Sequence, residues 1–200
     1  MFRRQTGPVL HTERLLLRLP RNSDYAAWAS IRHEGHDFLA PWEPARADDY
    51  AARRSFLNRV YWAERSAKAK TAMPFMITKR STDRLLGALT LDNIRQGASM
   101  AATVGYWIGP EFARQGYMRE ALDAVVHYAF SELDLSRVEA ACLPENKASR
   151  GLLEQAGFKY EGVAQSYLQI AGRWRTHVLY ANLRGDRRGK TSAGQGINAE

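Results

Sequence analysis

Met118, Ala121, Leu122, Val125, Ala129, Phe130 and Leu133 recur at i, i+3, i+4, i+7, i+11, i+12 and i+15, the spacing of one face of an α-helix. Arg119, Glu120, Asp123, His127 and Glu132 fall on the opposite side. Such a stripe needs an apolar surface to cover it, and the preceding sequence provides one. AMPFMITKR, RLLGALTLDNI and ATVGYWIG are short runs of β-branched and aromatic residues separated by polar or glycine-containing turns, the pattern of a strand meander. After the helix, RVEAACL reads as a buried strand, NKASRGLLEQAG as a short helix closed by Gly157, and Phe158 to Tyr167 with His177 to Leu183 as a final strand pair. Upstream, Thr12 to Leu19 predicts a first strand, and NSDYAAWASIRHE begins with capping residues and continues as a helix. Asp48 to Ala67 predicts a second long helix, with Tyr50, Arg54, Leu57 and Tyr61 at helical spacing. The order β α α β β β α β α β β implies a single mixed α/β layer structure.

Two hundred residues with 45% hydrophobic content suffice for one core and one domain, here residues 1–183. The remainder, RGDRRGKTSAGQGINAE, lacks large apolar groups and is expected to be a basic, flexible tail over 184–200. It carries +2 of the formal +8, so the basic bias belongs mainly to the folded part. LLLRL at Leu15 to Leu19 is too short, and interrupted by Arg18, for a signal peptide. No apolar run approaches the roughly 18 residues of a membrane span, so a soluble, cytoplasmic protein is expected. Cys142 is the only cysteine, which excludes an internal disulfide or a cysteine-based zinc cluster. Its setting, VEAAC, favours a buried, inert thiol. The five histidines show no ligand spacing beyond the isolated pair His33 and His36, and no metal is expected. Net charge points to anionic partners without choosing among nucleic acid, ribosome and a phosphorylated cofactor.

The chemistry concentrates in GPEFARQGYMREAL, Gly109 to Leu122. A Walker loop needs Gly-Lys-Ser/Thr and a dinucleotide fingerprint needs G-x-G-x-x-G, and neither string is present. What remains is a strand, a proline-containing turn, and one glycine at the mouth of a strong helix. The first amides of a helix lack intrahelical acceptors and the helix dipole is positive there, so with Gly116 removing a blocking side chain, and Arg114 and Arg119 nearby, a pyrophosphate fits. An ordinary strand-to-helix turn with solvated arginines explains the same string.

GYWIGPEFARQGYMREAL resembles the acetyl-CoA signature of the GNAT acetyltransferases, whose R/Q-x-x-G-x-G/A pattern joins the fourth strand to the third helix. The aligned residues are Ala113, Arg114, Gln115, Gly116, Tyr117 and Met118, of which only Gly116 keeps the pattern strictly. LPENKASRGLLEQAGFKYEG is similar to the family's next strand, Asn-containing turn and fourth helix. PWEP at Pro41 to Pro44 and YLQIAGRWRTHVLYANL resemble the RimJ/RimL branch of ribosomal-protein N-terminal acetyltransferases, with Thr176 in place of a common aspartate. The resemblance implies a GNAT-type acyl-CoA N-acyltransferase fold, α+β, with a central, mostly antiparallel sheet splayed between the fourth and fifth strands and flanked by helices. It implies direct transfer of acetyl from acetyl-CoA to an amine in a ternary complex.

On that resemblance, the cofactor-binding candidates are Tyr106, Trp107, Ile108, Arg114, Gln115, Gly116, Tyr117, Met118, Arg119, Asn146 and Ser149. Backbone groups near Tyr106 to Ile108 would hold pantetheine and polarise the thioester carbonyl. Asn146 would bond the pantetheine arm, a role compatible with capping a helix. The catalytic candidates are Ser149, as proton donor to the leaving thiolate, and Glu43 of PWEP, as ligand of the acceptor ammonium or as proton relay through water. Ser149 has a helix-turn alternative, and Glu43 that of a solvated loop glutamate. Tyr106, Trp107, Tyr167 and Trp174 are candidates for an acceptor groove or for core. An α-amino group, pKa about 7.7 to 8.0, is more easily neutralised than a lysine, pKa about 10.4. AATVGYWI carries no carboxylate base, which favours a protein N-terminus as acceptor. A small amine, amino acid or aminoglycoside acceptor, a non-catalytic CoA-binding protein, and a ribosome- or RNA-binding protein remain alternatives. A ribosome contact through the basic surface, and a monomer or homodimer, complete the expectations.

Overall fold

The computed structural model describes residues 7–185, in which eight strands form one sheet. In chain order the elements are β1 (Val9–His11), β2 (Leu15–Arg18), α1 (Tyr25–Glu34), α2 (His36–Leu39), α3 (Arg53–Ala69), β3 (Met73–Lys79), β4 (Leu85–Arg95), β5 (Ala101–Ile108), α4 (Tyr117–Ser131), β6 (Arg137–Cys142), α5 (Lys147–Gln155), β7 (Lys159–Ile170) and β8 (Arg173–Leu183). The strand order is β1-β2-β3-β4-β5-β6-β8-β7. Every neighbouring pair is antiparallel except β5 and β6. None of the described helices is long and apolar enough to cross a membrane.

Alternation along a strand explains the two layers of helices. Phe75 and Ile77 of β3 join the large cluster built on Ala121, Leu122, Val125 and Ala129 of α4, with Leu153 of α5. Met76, between them, faces the other way, into a smaller cluster with Trp28 of α1 and with Phe56 and Val60 of α3. The stripe that opened the sequence argument is therefore the lid of the main core. Its last member, Leu133, lies beyond the helix end but is still buried.

Three boundaries differ from the sequence reading. The expected strand Thr12 to Leu19 is a hairpin: Thr12 turns the chain by accepting the Leu15 N–H at 2.9 Å on its hydroxyl, and the extra strand β1 precedes it. The second helix begins at Arg53, not Asp48, and buries Phe56, Val60, Ala63 and Ala67. The proposed stripe of Tyr50, Arg54, Leu57 and Tyr61 chose the wrong face: Tyr50 precedes the helix and Tyr61 is 60% exposed. The final strands are longer than expected and form a two-stranded ribbon reaching to Ile170 and back from Arg173. Of the expected tail, Arg184 bonds Asp134 at 2.6 Å and the Phe130 carbonyl at 3.1 Å, while residues 186–200 lie outside the described ones.

Arg18, the charge that interrupts LLLRL, is 2% exposed. It donates to both carboxylate oxygens of Asp24, at 2.7 and 2.8 Å, and so ties β2 to the start of α1. Burial works against the guanidinium charge, but Asp24 and Asp83 outweigh it and hold its pKa above normal. Asp24→Ala would strand this charge and is expected to cost about 3–5 kcal/mol. Replacing both partners, Arg18→Met with Asp24→Leu, should recover most of the loss in urea unfolding.

Candidate active site

β5 leaves the sheet through Gly109, a 3-10 turn at Pro110–Phe112 and extended Ala113. Buried Phe112 anchors that turn, and the Gln115 amide donates back to the Glu111 carbonyl at 2.6 Å. Arg114 (φ 61°) and Gly116 (φ 80°) both adopt the left-handed conformation, and α4 follows at once. Gly116 is required here: a Cβ would be strained at that φ and would lie 3.3 Å from Arg14 Nη2. Among the described residues, none of the main-chain N–H groups of residues 114–119 is given to a protein acceptor, and the first intrahelical bond is Glu120 N–H to Gly116 C=O at 3.1 Å. Six consecutive donors at a helix N-terminus, curled by alternating left-handed residues, form an anion-binding concavity.

The side chains at this entrance do different work from the backbone. Met118 is core, 7% exposed, so only its N–H faces the mouth. Tyr117 packs partly on the core, and Arg119 pairs with Asp123 at 2.7 Å. Arg114 is exposed. The rigid cation is Arg14, which the sequence reading placed inside a strand and assigned no role. It donates to Glu120 Oε2 at 2.6 Å and to the Gln115 carbonyl at 3.0 Å, and lies 4.6 Å from the Tyr117 ring centroid. Glu120 also accepts the Arg14 N–H at 2.8 Å and the Thr12 hydroxyl at 2.5 Å. The β1–β2 turn is thus locked onto the first turn of α4.

Beside this entrance the sheet comes apart. β5 and β6 pair only at Ala101–Thr103 with Arg137–Glu139, whereas β4 stays paired to β5 as far as Ile108. Residues 104–108, including Tyr106, Trp107 and Ile108, therefore have no strand partner on the β6 side. The close approach of β4 to β5 there needs Gly87, where a Cβ would meet the Trp107 carbonyl at 2.3 Å.

Across the gap, Asn146 caps α5 by accepting the Ser149 N–H at 3.0 Å. The capping turn brings the Ser149 hydroxyl to 2.8 Å from that of Tyr106. Burial raises the Tyr106 pKa, with the Ser149 hydrogen bond opposing, so the phenol stays protonated. Cys142 is buried, as its sequence setting implied, and burial pushes its thiol pKa up.

Glu43 lies apart from Ser149, in a different neighbourhood. Both its oxygens bond Arg32 of α1, one at 2.8 Å and the other very short, and its carbonyl accepts the Ala171 N–H at 3.0 Å from the β7–β8 turn. Arg32 lies 5.0 Å from the Trp107 ring and so connects the Glu43 loop to β5. Burial opposes the Arg32 charge, but Glu43 and Tyr50 leave its pKa raised. No local sequence pattern announces this clamp. Trp174 is 62% exposed at the far ribbon, and Tyr167 stands with its edge towards His177, 5.6 Å away. No group of three His, Cys, Asp or Glu side chains suited to a metal gathers among the described residues.

A mostly antiparallel sheet that opens between its two parallel strands, with an anion cradle at the helix leading out of the opening, defines an acyl-CoA-dependent N-acyltransferase. The chain belongs to the GNAT acetyltransferase family: the acetyltransferase (GNAT) domain pattern matches residues 14–159. It is 34% identical over 172 residues to the [ribosomal protein uS5]-alanine N-acetyltransferase of Escherichia coli (strain K12), covering 86% of this chain and 89% of that protein. The crystal structure of ribosomal-protein-S5-alanine acetyltransferase from Vibrio fischeri superimposes with TM-score 0.84 and 28% identity, covering 92% of this chain and 100% of that one. Mycobacterium smegmatis RimJ, solved in complex with CoA-disulfide, gives TM-score 0.85 and 30% identity, with 92% and 91% covered.

The Glu120 network carries a pH dependence. Partial burial alone would raise the Glu120 pKa, but the Thr12 hydroxyl and the N–H and guanidinium of Arg14 outweigh it and lower the pKa. Its stabilisation is therefore complete above the unfolded pKa of about 4.3 and is lost as pH falls through the lower folded value. Glu120→Gln is expected to lower stability by about 2 kcal/mol at pH 7, and the deficit should shrink as pH falls below about 4 in thermal unfolding.

Proposed function

We propose that the protein transfers acetyl from acetyl-CoA to the α-amino group at the N-terminus of a ribosomal protein. The observation that carries this reading is the run of undonated N–H groups at residues 114–119 beside the unpaired edge of β5. In the proposed arrangement the pyrophosphate lies on those amides with Arg14 at its flank, and pantetheine lies along residues 104–108, completing the interrupted sheet. The E. coli relative, named for alanine N-acetylation of uS5, supports the acceptor.

The amine nitrogen attacks the thioester carbonyl carbon, the C–S bond breaks, and the nitrogen loses a proton while the thiolate gains one. Holding both reactants together contributes roughly 7 to 11 kcal/mol. With the Tyr106 phenol donating to Ser149 Oγ, the serine proton is free to point at the sulfur. Tyr106 itself is too weak an acid to finish the transfer, because its raised pKa lies far above a thiol's, about 8.5. Its role in the proposal is to orient Ser149. Glu43 has both oxygens on Arg32, yet each can accept a further bond, so a water relay remains open to it. Acting as a free base would break the clamp. Arginines 32, 46 and 59 around the neighbouring Tyr50 ring count against a polycationic aminoglycoside as acceptor.

Incubation with acetyl-CoA and a panel of N-terminal peptides, N-terminally blocked lysine peptides and small amines, followed by mass analysis, tests the acceptor. Only free N-termini should gain acetyl, and exclusive modification of small amines would contradict the proposal. Ser149→Ala is expected to lower kcat by about 10²-fold with little change in acetyl-CoA affinity. Gly116→Glu, which adds backbone strain and negative charge at the cradle, should weaken acetyl-CoA binding roughly a hundredfold in calorimetry.

A further inference from the structure

Tyr50 collects three guanidinium groups that do not share the nearby carboxylates equally. Arg32, Arg46 and Arg59 lie 5.4, 4.6 and 4.8 Å from its ring centroid. Arg32 gives both terminal nitrogens to Glu43. Arg46 has one long contact, 3.5 Å, to the same carboxylate. Arg59, half-buried between Tyr50 and Trp28, has no hydrogen-bond or ion-pair partner among the described residues, and its Nε is shielded from solvent. The other carboxylates nearby are Asp48, which lines the same cleft, and Asp49, which accepts the Ser55 hydroxyl at 2.9 Å. A guanidinium with a shielded, unbonded Nε and no ion-pair partner favours an anion brought close to it.

The cleft has a volume of about 350 Å³ and runs between the Glu43–Tyr50 loop and Ala171 of the β7–β8 turn. That suits one side chain rather than a nucleic-acid strand. It also adjoins the strand where the thioester is proposed to lie, because Trp107 touches Arg32 and Arg32 touches Tyr50. The Trp107 and Tyr50 rings are therefore at most about 10 Å apart, and an extended peptide advances roughly 3.3 Å per residue. We propose that Arg46, which lines this cleft on the Tyr50 ring, binds the carboxylate of an acidic side chain at about the third or fourth residue of the acceptor protein, with Arg59 adding positive charge at the same ring. This rests on the N-terminal acetyltransferase reading and narrows it to acceptors whose N-terminal segment is acidic at that place. Arg46 swings from its loose contact with Glu43 to the incoming carboxylate, and the Arg59 charge on the same ring favours that anion. The planar fork of the Arg46 guanidinium matches a carboxylate.

The test uses the full-length enzyme, saturating acetyl-CoA, and peptides of one sequence with a single Glu at position 2, 3, 4 or 5, each beside its Gln counterpart. Glu at position 3 or 4 should raise kcat/KM about tenfold over Gln, through KM, with the advantage shrinking as salt is added. In Arg46→Ala combined with Arg59→Gln the Glu/Gln ratio should fall to near one. Because the ratio is internal, a general loss of activity in the variant does not mimic the result, and the wild-type series stands even if the variant misfolds. Acetylation of all peptides at equal kcat/KM would overturn this inference alone, whereas acetylation of none would overturn it together with the acceptor assignment. An unchanged ratio in a variant that has instead lost affinity for a short RNA would overturn it in favour of a nucleic-acid site.

Discussion

The structure turns on β5 parting from β6 after three residue pairs. An unpaired strand edge inside a sheet leaves backbone donors and acceptors without partners, and the rest of the molecule holds that edge in place without closing it. On one side the β4 ladder runs to Ile108, with Gly87 permitting the close approach. On the other, the Tyr106 and Ser149 hydroxyls meet across the gap. Arg32, stacked on Trp107 and bonded to Glu43, fastens the acceptor-side loop to the same few residues. A ligand that supplies strand-like hydrogen bonds fits such an edge, and pantetheine, with its two amides, is one.

The helix entrance obeys the same logic of polar groups left available. Its amides are held in place by residues distant in the chain: Arg14 secures the Gln115 carbonyl, and Glu120 secures Arg14 and Thr12. A cradle whose shape is fixed by its own ion pair does not have to reorganise when an anion arrives. The formal charge of +8 is accordingly not spread evenly in effect. Arg14, Arg18 and Arg137 have close carboxylate partners, while Arg59 has none among the described residues.

What the sequence made legible is local in origin. The α4 stripe, the glycine at its mouth, the Asn146 cap and the buried setting of Cys142 all follow from neighbours within a few residues, and each is found in the fold. The misread features depended on partners elsewhere. The α3 face could not be chosen from spacing because Phe56 and Val60 compete with Leu57 and Tyr61 for the same periodicity, and only the position of Met76 and Trp28 decides between them. Arg14 looked like a strand residue because Glu120, its partner, lies 106 positions away. Arg32 had no local signal of its role, which depends on the Glu43 loop and Trp107. An acid in the first turn of α4, where the dipole favours one but where it also faces the proposed phosphate site, was the one available hint that a cation had to come from outside the helix.

The central claim, that the main-chain amides at the entrance to α4 hold the cofactor's diphosphate, is tested most directly by following ¹⁵N-labelled protein through titration with CoA and, separately, with pantetheine. CoA should move the amide resonances of residues 114–119 and of 104–108, and pantetheine only the latter. Saturable CoA binding that leaves residues 114–119 unmoved would contradict the account.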